Sequence, residues 1–152
     1  MDYGNCRRRF VTLKRIKMDP ANYKYEASIN FDIKTYEIDI AGHVNNIVYV
    51  KWLEDLRNEL FNKILPLDHL LSLHLYPVVI STNITYKKQL ELKDKPVGYV
   101  SLENIRHNIM TLKFKFMKGG DICTFAEQKC VLMNLEKGTI DKEKFKSLTK
   151  LS

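Results

Sequence analysis

Polar and apolar residues alternate without a break from Tyr23 to Lys34. Tyr23, Tyr25, Ala27, Ile29, Phe31 and Ile33 fall on one side, and Lys24, Glu26, Ser28, Asn30, Asp32 and Lys34 on the other. A period of two is that of a strand with one buried face and one wet face. The period changes after Gly42. Tyr49, Trp52, Leu53, Leu56 and Leu60 recur at helical spacing, while Lys51, Asp55 and Asn58 lie elsewhere on the wheel. This predicts one long amphipathic helix that packs through that stripe.

Beyond it, "PLDHLLSLHLYP" reads as a helical turn or loop closed by proline at both ends. Strand patterns then take over. Val78, Ile80, Thr82, Ile84 and Tyr86 alternate, "KPVGYVSLENI" reads as a second strand, and Leu112, Phe114 and Phe116 alternate with Lys113 and Lys115. "KGGD" is a hairpin turn that returns "ICTFAEQKCVLMN" beside its neighbour, because so short a connection joins antiparallel partners. One strand, one helix and about four more strands make an α+β fold, with the helix covering one face of an antiparallel sheet.

Length and composition agree with a single globular domain. The chain has 152 residues, 45% hydrophobic and 28% charged, enough for one sizeable core and too apolar for a disordered chain. No apolar run reaches the roughly 18 residues of a membrane span. The basic first stretch lacks the apolar segment and cleavage site of a secretory signal. Cys6, Cys123 and Cys130 are too few and scattered for a disulfide framework or a zinc site. A cytoplasmic setting is expected. Cys123 and Cys130 lie seven apart in one strand and should face opposite ways.

Charge is unevenly spread. Arg7, Arg8, Arg9, Lys14, Arg15 and Lys17 against Asp2 put +5 of the net +7 within the first 17 residues. The expected organisation is therefore a flexible basic extension over 1–21 and one domain over 22–152. The nearly balanced body argues against nucleic acid as the partner. A module that binds nucleic acid through the basic arm would show steeply salt-dependent affinity.

The break between the first strand and the helix holds Asp39, His43, Asn45 and Asn46 within eight positions. Residue by residue, the plain account is a Gly42 turn, an Asn45 or Asn46 helix cap and an Asp39 bond to a loop amide. A helix start also carries free N–H groups and the positive end of the helix dipole, which can hold an anion or a developing oxyanion.

As a whole, "DIAGHVNNIVYVKWLEDLR" resembles the signature of hotdog-fold thioesterases of the 4-hydroxybenzoyl-CoA thioesterase group, which are related to acyl-ACP thioesterases. The G-H-V-N-N core and W-x-E-x-x-R carry the match, and the resemblance spans about residues 22 to 145. It implies an antiparallel sheet wrapped around one long helix, and a homodimer or homotetramer with active sites at the subunit interface. It also implies hydrolysis of an acyl-CoA or acyl-ACP thioester without a cofactor or metal.

By the same resemblance Asp39 is the catalytic aspartate, acting as nucleophile or general base. His43 supports it, and the Asn46 backbone N–H is the oxyanion donor. Ala41 stands where the plant enzymes have asparagine, and the Asn46 side chain stands where some relatives carry a catalytic histidine. Thr35, Glu37 and Glu54 have no assigned role.

Thioester chemistry suits so small a set of groups, since the departing thiol, with a pKa of about 8.5, needs little acid assistance. The sequence has no G-x-S-x-G elbow, no H-E-x-x-H motif and no phosphate-cradling glycine loop. Lys87, Lys88, Arg106 and His107 are candidates for the CoA phosphates, each equally readable as a solvated surface cation. The rival to hydrolysis is a hotdog protein that binds acyl thioesters without turning them over.

Overall fold

The computed structural model describes residues 26–141 of the chain. The basic extension, Cys6 and the Tyr23–Tyr25 start of the first strand lie outside the described residues. Six strands, β1 (Glu26–Asn30), β2 (Leu75–Tyr86), β3 (Val97–Arg106), β4 (Ile109–Lys118), β5 (Asp121–Asn134) and β6 (Thr139–Ile140), form one antiparallel sheet. The main order is β1-β3-β4-β5-β2, with β6 added beside β5. Helix α1 (Asn46–Ile64) supplies the cover, and a short α2 (Leu67–Ser72) follows it.

The expected strand-helix-four-strand order is present, as is the single long helix. Val48, Tyr49, Trp52, Leu53, Leu56, Leu60 and Phe61 are its buried residues, which includes every member of the predicted stripe. They meet the inward positions of the strands: Ala27 on β1, Val100 and Leu102 on β3, Met110, Leu112, Phe114 and Phe116 on β4. Phe31 and Ile33 stay buried beyond the end of β1, and the Phe31 N–H still reaches the Pro96 carbonyl at 2.9 Å. The sequence alternation therefore outlasts the ladder.

Gly98 makes the tightest part of this packing possible. A side-chain carbon built there would come within 2.6 Å of the Phe31 ring, 2.9 Å of Leu56 and 3.0 Å of Phe116. The sheet backbone can approach the helix only because that carbon is missing. Phe31 in turn stacks on Trp52 with ring centroids 4.7 Å apart.

Three details differ from the sequence reading. The segment after α1 does not close at Pro77, because β2 begins at Leu75 and runs through it. Pro77 is tolerated since, among the described residues, β2 lies at the edge of the sheet, where a missing N–H costs no ladder bond. A 3-10 turn, Thr35–Glu37, intervenes before the polar break. Glu37 closes it: its N–H bonds the Lys34 carbonyl at 2.9 Å, and its carboxylate accepts the Lys34 N–H at 2.8 Å. Finally, Cys123 and Cys130 are both free and buried. The β4–β5 register slips at Cys123, so simple alternation does not extend across it. Burial pushes both thiols up, Cys130 to about 11.

One polar chain crosses the interior. Arg57 of α1 donates to Gln128 of β5 at 2.9 Å, and Gln128 donates to Thr82 of β2 at 3.2 Å, tying the helix to the edge strand. Glu54 stands 3.8 Å from Arg57.

Two outcomes are expected. Gly98→Ala should lower stability by about 1–3 kcal/mol through overpacking, read as a shift in the urea midpoint; an unchanged midpoint would refute the close approach. The second concerns pH. The Lys95, Lys88 and Lys113 ammoniums hold Asp32, Asp121 and Glu127 below their ordinary 3.8, 3.8 and 4.5. Hydrogen bonds to Glu127 and Asp94 hold Lys113 and Lys118 above 10.5. The carboxylate contributions are present above the ordinary values and lost as pH falls through the lowered ones. Those of the lysines are present below 10.5 and lost as pH rises through the raised ones. Asp32→Asn/Asp121→Asn should therefore shallow the acid limb of a stability–pH curve by slightly lowering its neutral plateau, and leave stability unchanged below the lowered values.

Candidate active site

The polar break folds into one tight turn. Gly42 takes φ +83°, a conformation that glycine adopts without steric cost. Its N–H bonds the Asp39 carbonyl at 3.0 Å, and the Asp39 N–H bonds the His43 carbonyl at 2.8 Å. Ile38 and Val44 pair as an antiparallel bridge across the base of the turn. The Asp39 side chain faces back into it, where Oδ1 accepts the N–H of Ala41 at 2.9 Å and of His43 at 3.2 Å. Among the described residues Oδ2 has no hydrogen-bond partner. One carboxylate oxygen is thus fixed by the backbone and the other is available.

The helix start completes the group. Asn45 is the cap: its Oδ1 accepts the Ile47 N–H at 3.0 Å, its carbonyl accepts the Val48 N–H at 2.9 Å, and its own N–H returns to the Glu37 carbonyl at 2.9 Å. The cap therefore takes the second and third N–H groups of α1. That of Asn46, the first helical residue, has no acceptor among the described residues. A free N–H at the positive end of a 19-residue helix is suited to a developing negative oxygen.

Asp39, His43 and Asn46 are thus brought together by a single stretch of backbone. Asp39 and His43 are half-buried and Asn46 is exposed. Behind them lies an aromatic wall. Tyr49 meets Tyr86 edge-on at 5.1 Å, Trp52 at 5.3 Å and Phe116 at 5.6 Å. The Tyr86 hydroxyl is 3.5 Å from the Asn46 carbonyl, at the limit of a hydrogen bond. Burial pushes the Tyr49 phenol to about 12, partly offset by the Thr124 hydroxyl. That hydroxyl is itself fully buried without a hydrogen bond of ordinary geometry.

The cations separate into two groups. Lys87 and Lys88 leave the end of β2 on the Cys123 carbonyl, at 2.8 and 3.0 Å, at the helix-start end of the sheet. Both have partners there: the Lys88 ammonium pairs with Asp121 at 2.7 Å, and that of Lys87 lies 4.6 Å from the Phe125 ring centroid. Arg106 and His107 sit at the β3–β4 turn, where His107 and Asn108 take φ +51° and +64°. The registers Arg106↔Ile109 and Lys118↔Asp121 put that turn at the other end of β4. At about 3.3 Å per residue, some 30 Å separates the two groups. They do not converge within one chain.

The residues that sequence reasoning missed are those that hold the turn from outside. Val44 N–H bonds the carbonyl of Leu90 at 2.8 Å, and Leu90 is wholly buried. Two leucines, Leu90 and Leu92, within the otherwise polar "KKQLELKDK" were the available signal, and of these Leu90 is the buried one. Tyr86 was legible only as a strand position. A groove of about 670 Å³ lies on the sheet face away from α1, lined by Tyr99, Lys115 and Phe125 among others. It does not include the Asp39–Asn46 turn. Among the described residues no group of three or more His, Cys, Asp or Glu is placed to hold a metal ion.

Comparison with known proteins bears on the family and the fold. A family model described as the thioesterase-like superfamily matches residues 33–149. No curated protein matches the sequence. Among solved structures, a gentisyl-coenzyme A thioesterase, BH1999, is similar at 20% identity and a TM-score of 0.66, over 72% of this chain and 90% of that one. A DHNA-CoA thioesterase from Staphylococcus aureus is similar at 14% identity and 0.71, over 84% and 89%. SAV2348, a protein from the same organism solved in complex with CoA, is similar at 16% identity and 0.72, over 86% and 84%. At such identities the likeness is one of fold. The antiparallel sheet wrapped on one helix is the hotdog fold, and the chain that builds it belongs to the thioesterase-like superfamily.

Proposed function

We propose that the protein hydrolyses acyl-CoA or acyl-ACP thioesters at the Asp39–Asn46 turn. The observation that carries this reading is the unclaimed Asn46 N–H at the start of α1, in the same turn as a carboxylate with one oxygen fixed and one free. In this reading the thioester carbonyl oxygen accepts the Asn46 N–H. Asp39 then attacks the carbonyl carbon, giving a mixed anhydride that water opens, or takes a proton from a water that attacks. In either case the C–S bond breaks, the electron pair leaves on sulfur as thiolate, and acid and thiol are released. The Asn46 N–H acts most strongly when the oxygen carries charge, which is the condition for accelerating the step. His43, joined to Asp39 by two backbone bonds, keeps the carboxylate in place. A thioesterase and a CoA complex among proteins of this fold support the substrate class.

The assembly follows from the edge of the sheet. β2 is 12 residues long and among the described residues has no strand on its outer side, and Tyr76, Ile80 and Tyr86 are exposed along it. A long edge with exposed apolar side chains is a template for pairing. In our reading a second copy of the chain covers it and brings further groups to the turn. Lys87 and Lys88 meet the CoA phosphates from the same protomer, and Arg106 and His107 would have to do so from another.

Three measurements follow. Thiol release from short, long and aromatic acyl-CoAs should be catalysed by the intact protein. It should fall by at least about 100-fold in Asp39→Asn, which keeps an oxygen for the Ala41 and His43 amides. Equal turnover in both proteins would remove Asp39 from the chemistry. Tight binding without turnover would make the protein an acyl-thioester binder. Sedimentation should show a dimer or larger species that Ile80→Lys weakens, whereas a monomer at micromolar concentration would contradict the edge pairing.

A further inference from the structure

The turn that carries Asp39 is braced from outside by the connection between β2 and β3. Leu90 is buried without exposure, and its carbonyl accepts the Val44 N–H at 2.8 Å. Immediately after it the chain makes a turn closed twice. Asp94 N–H bonds the Glu91 carbonyl at 3.0 Å, and Asp94 Oδ2 accepts the Glu91 N–H at 2.8 Å. Lys118, the last residue of β4, spans that carboxylate, with Nζ 2.9 Å from Oδ2 and 2.8 Å from Oδ1. An unbroken chain of bonds thus runs from the end of β4 through Asp94, Glu91 and Leu90 to Val44.

This ion pair is unlike the others nearby. The Asp94 side chain is 13% exposed, against 67% and 68% for Asp32 and Asp121 in the pairs with Lys95 and Lys88. A shielded carboxylate that also accepts a backbone N–H holds geometry, where an exposed pair contributes little. We propose that Lys118 and Asp94 are positioning residues for the catalytic turn, fixing the Leu90 carbonyl and through Val44 the places of Asp39 and Asn46. The inference rests on the proposed function for its catalytic meaning. Val44 closes the turn opposite Ile38 and stands two residues before Asn46, so a shift of the Leu90 carbonyl moves both reacting groups. Reaction rates are steep in such displacements.

The test uses Lys118→Met, which removes the ammonium and keeps the stem, and Asp94→Asn, which keeps an acceptor for the Glu91 N–H. Lys118→Arg restores the charge. In both neutralised variants kcat should fall about tenfold or more with KM changed by less than about twofold, and the Val44 amide should exchange about tenfold faster. Lys118→Arg should recover most of both. Unaltered Val44 exchange in both neutralised variants overturns the proposal, and so does lost activity with Val44 still protected. If the parent protein releases no thiol from any thioester, the proposed function fails, and Val44 exchange alone decides whether the pair positions the turn.

Discussion

One long helix has to cover the inner face of a sheet whose five main strands would otherwise leave that face in water. Leu53, Leu56 and Leu60 are without exposure, and the strands meet them through Val100, Leu102, Met110, Leu112 and Phe116. Burial on this scale, at about 25 cal/mol per Å² of apolar surface, leaves α1 little freedom to slide or rotate. Gly98 sets the closest approach. The position of the helix start is thereby fixed by apolar contacts and not by the polar turn that precedes it.

From that fixed start the site assembles with few parts. A helix that begins must leave N–H groups unpaired, and the Asn45 cap takes two of them and not the first. The loop that delivers the cap must reverse direction within four residues, so Gly42 adopts a positive φ and Asp39 takes the role of accepting the loop amides. The same bonds that make Asp39 a turn residue orient its free oxygen. Structural and catalytic readings of Asp39 are therefore compatible: the turn preorganises the carboxylate.

How much of this was legible in the sequence depends on the range of the interactions involved. The helical stripe and the strand alternation are local periods, and every predicted stripe residue is buried. The Asp39–Asn46 cluster was legible because the bonds of the Asp39 carboxylate and of the Asn45 side chain reach only two to four residues along the chain. Pro77 misled because the sequence does not say which strand lies at an edge, and only edge placement permits proline there. The slip at Cys123 is a register offset inside the β4–β5 hairpin that alternation alone does not encode, and the brace through Leu90 joins segments far apart in the chain. Arg106 and His107 read like Lys87 and Lys88 in sequence, yet the length of β4 separates them.

The central claim is that the carbonyl of a thioester sits on the Asn46 N–H. The most direct test is to follow backbone amide resonances while titrating the protein with a non-hydrolysable thioether analogue of an acyl-CoA that keeps the carbonyl. The account predicts the largest shift at Asn46, moving downfield as for a new hydrogen bond, with smaller shifts from Asp39 to Val44. Shifts centred instead on Tyr99 and Phe125, on the other face of the sheet, with Asn46 unmoved, would contradict it.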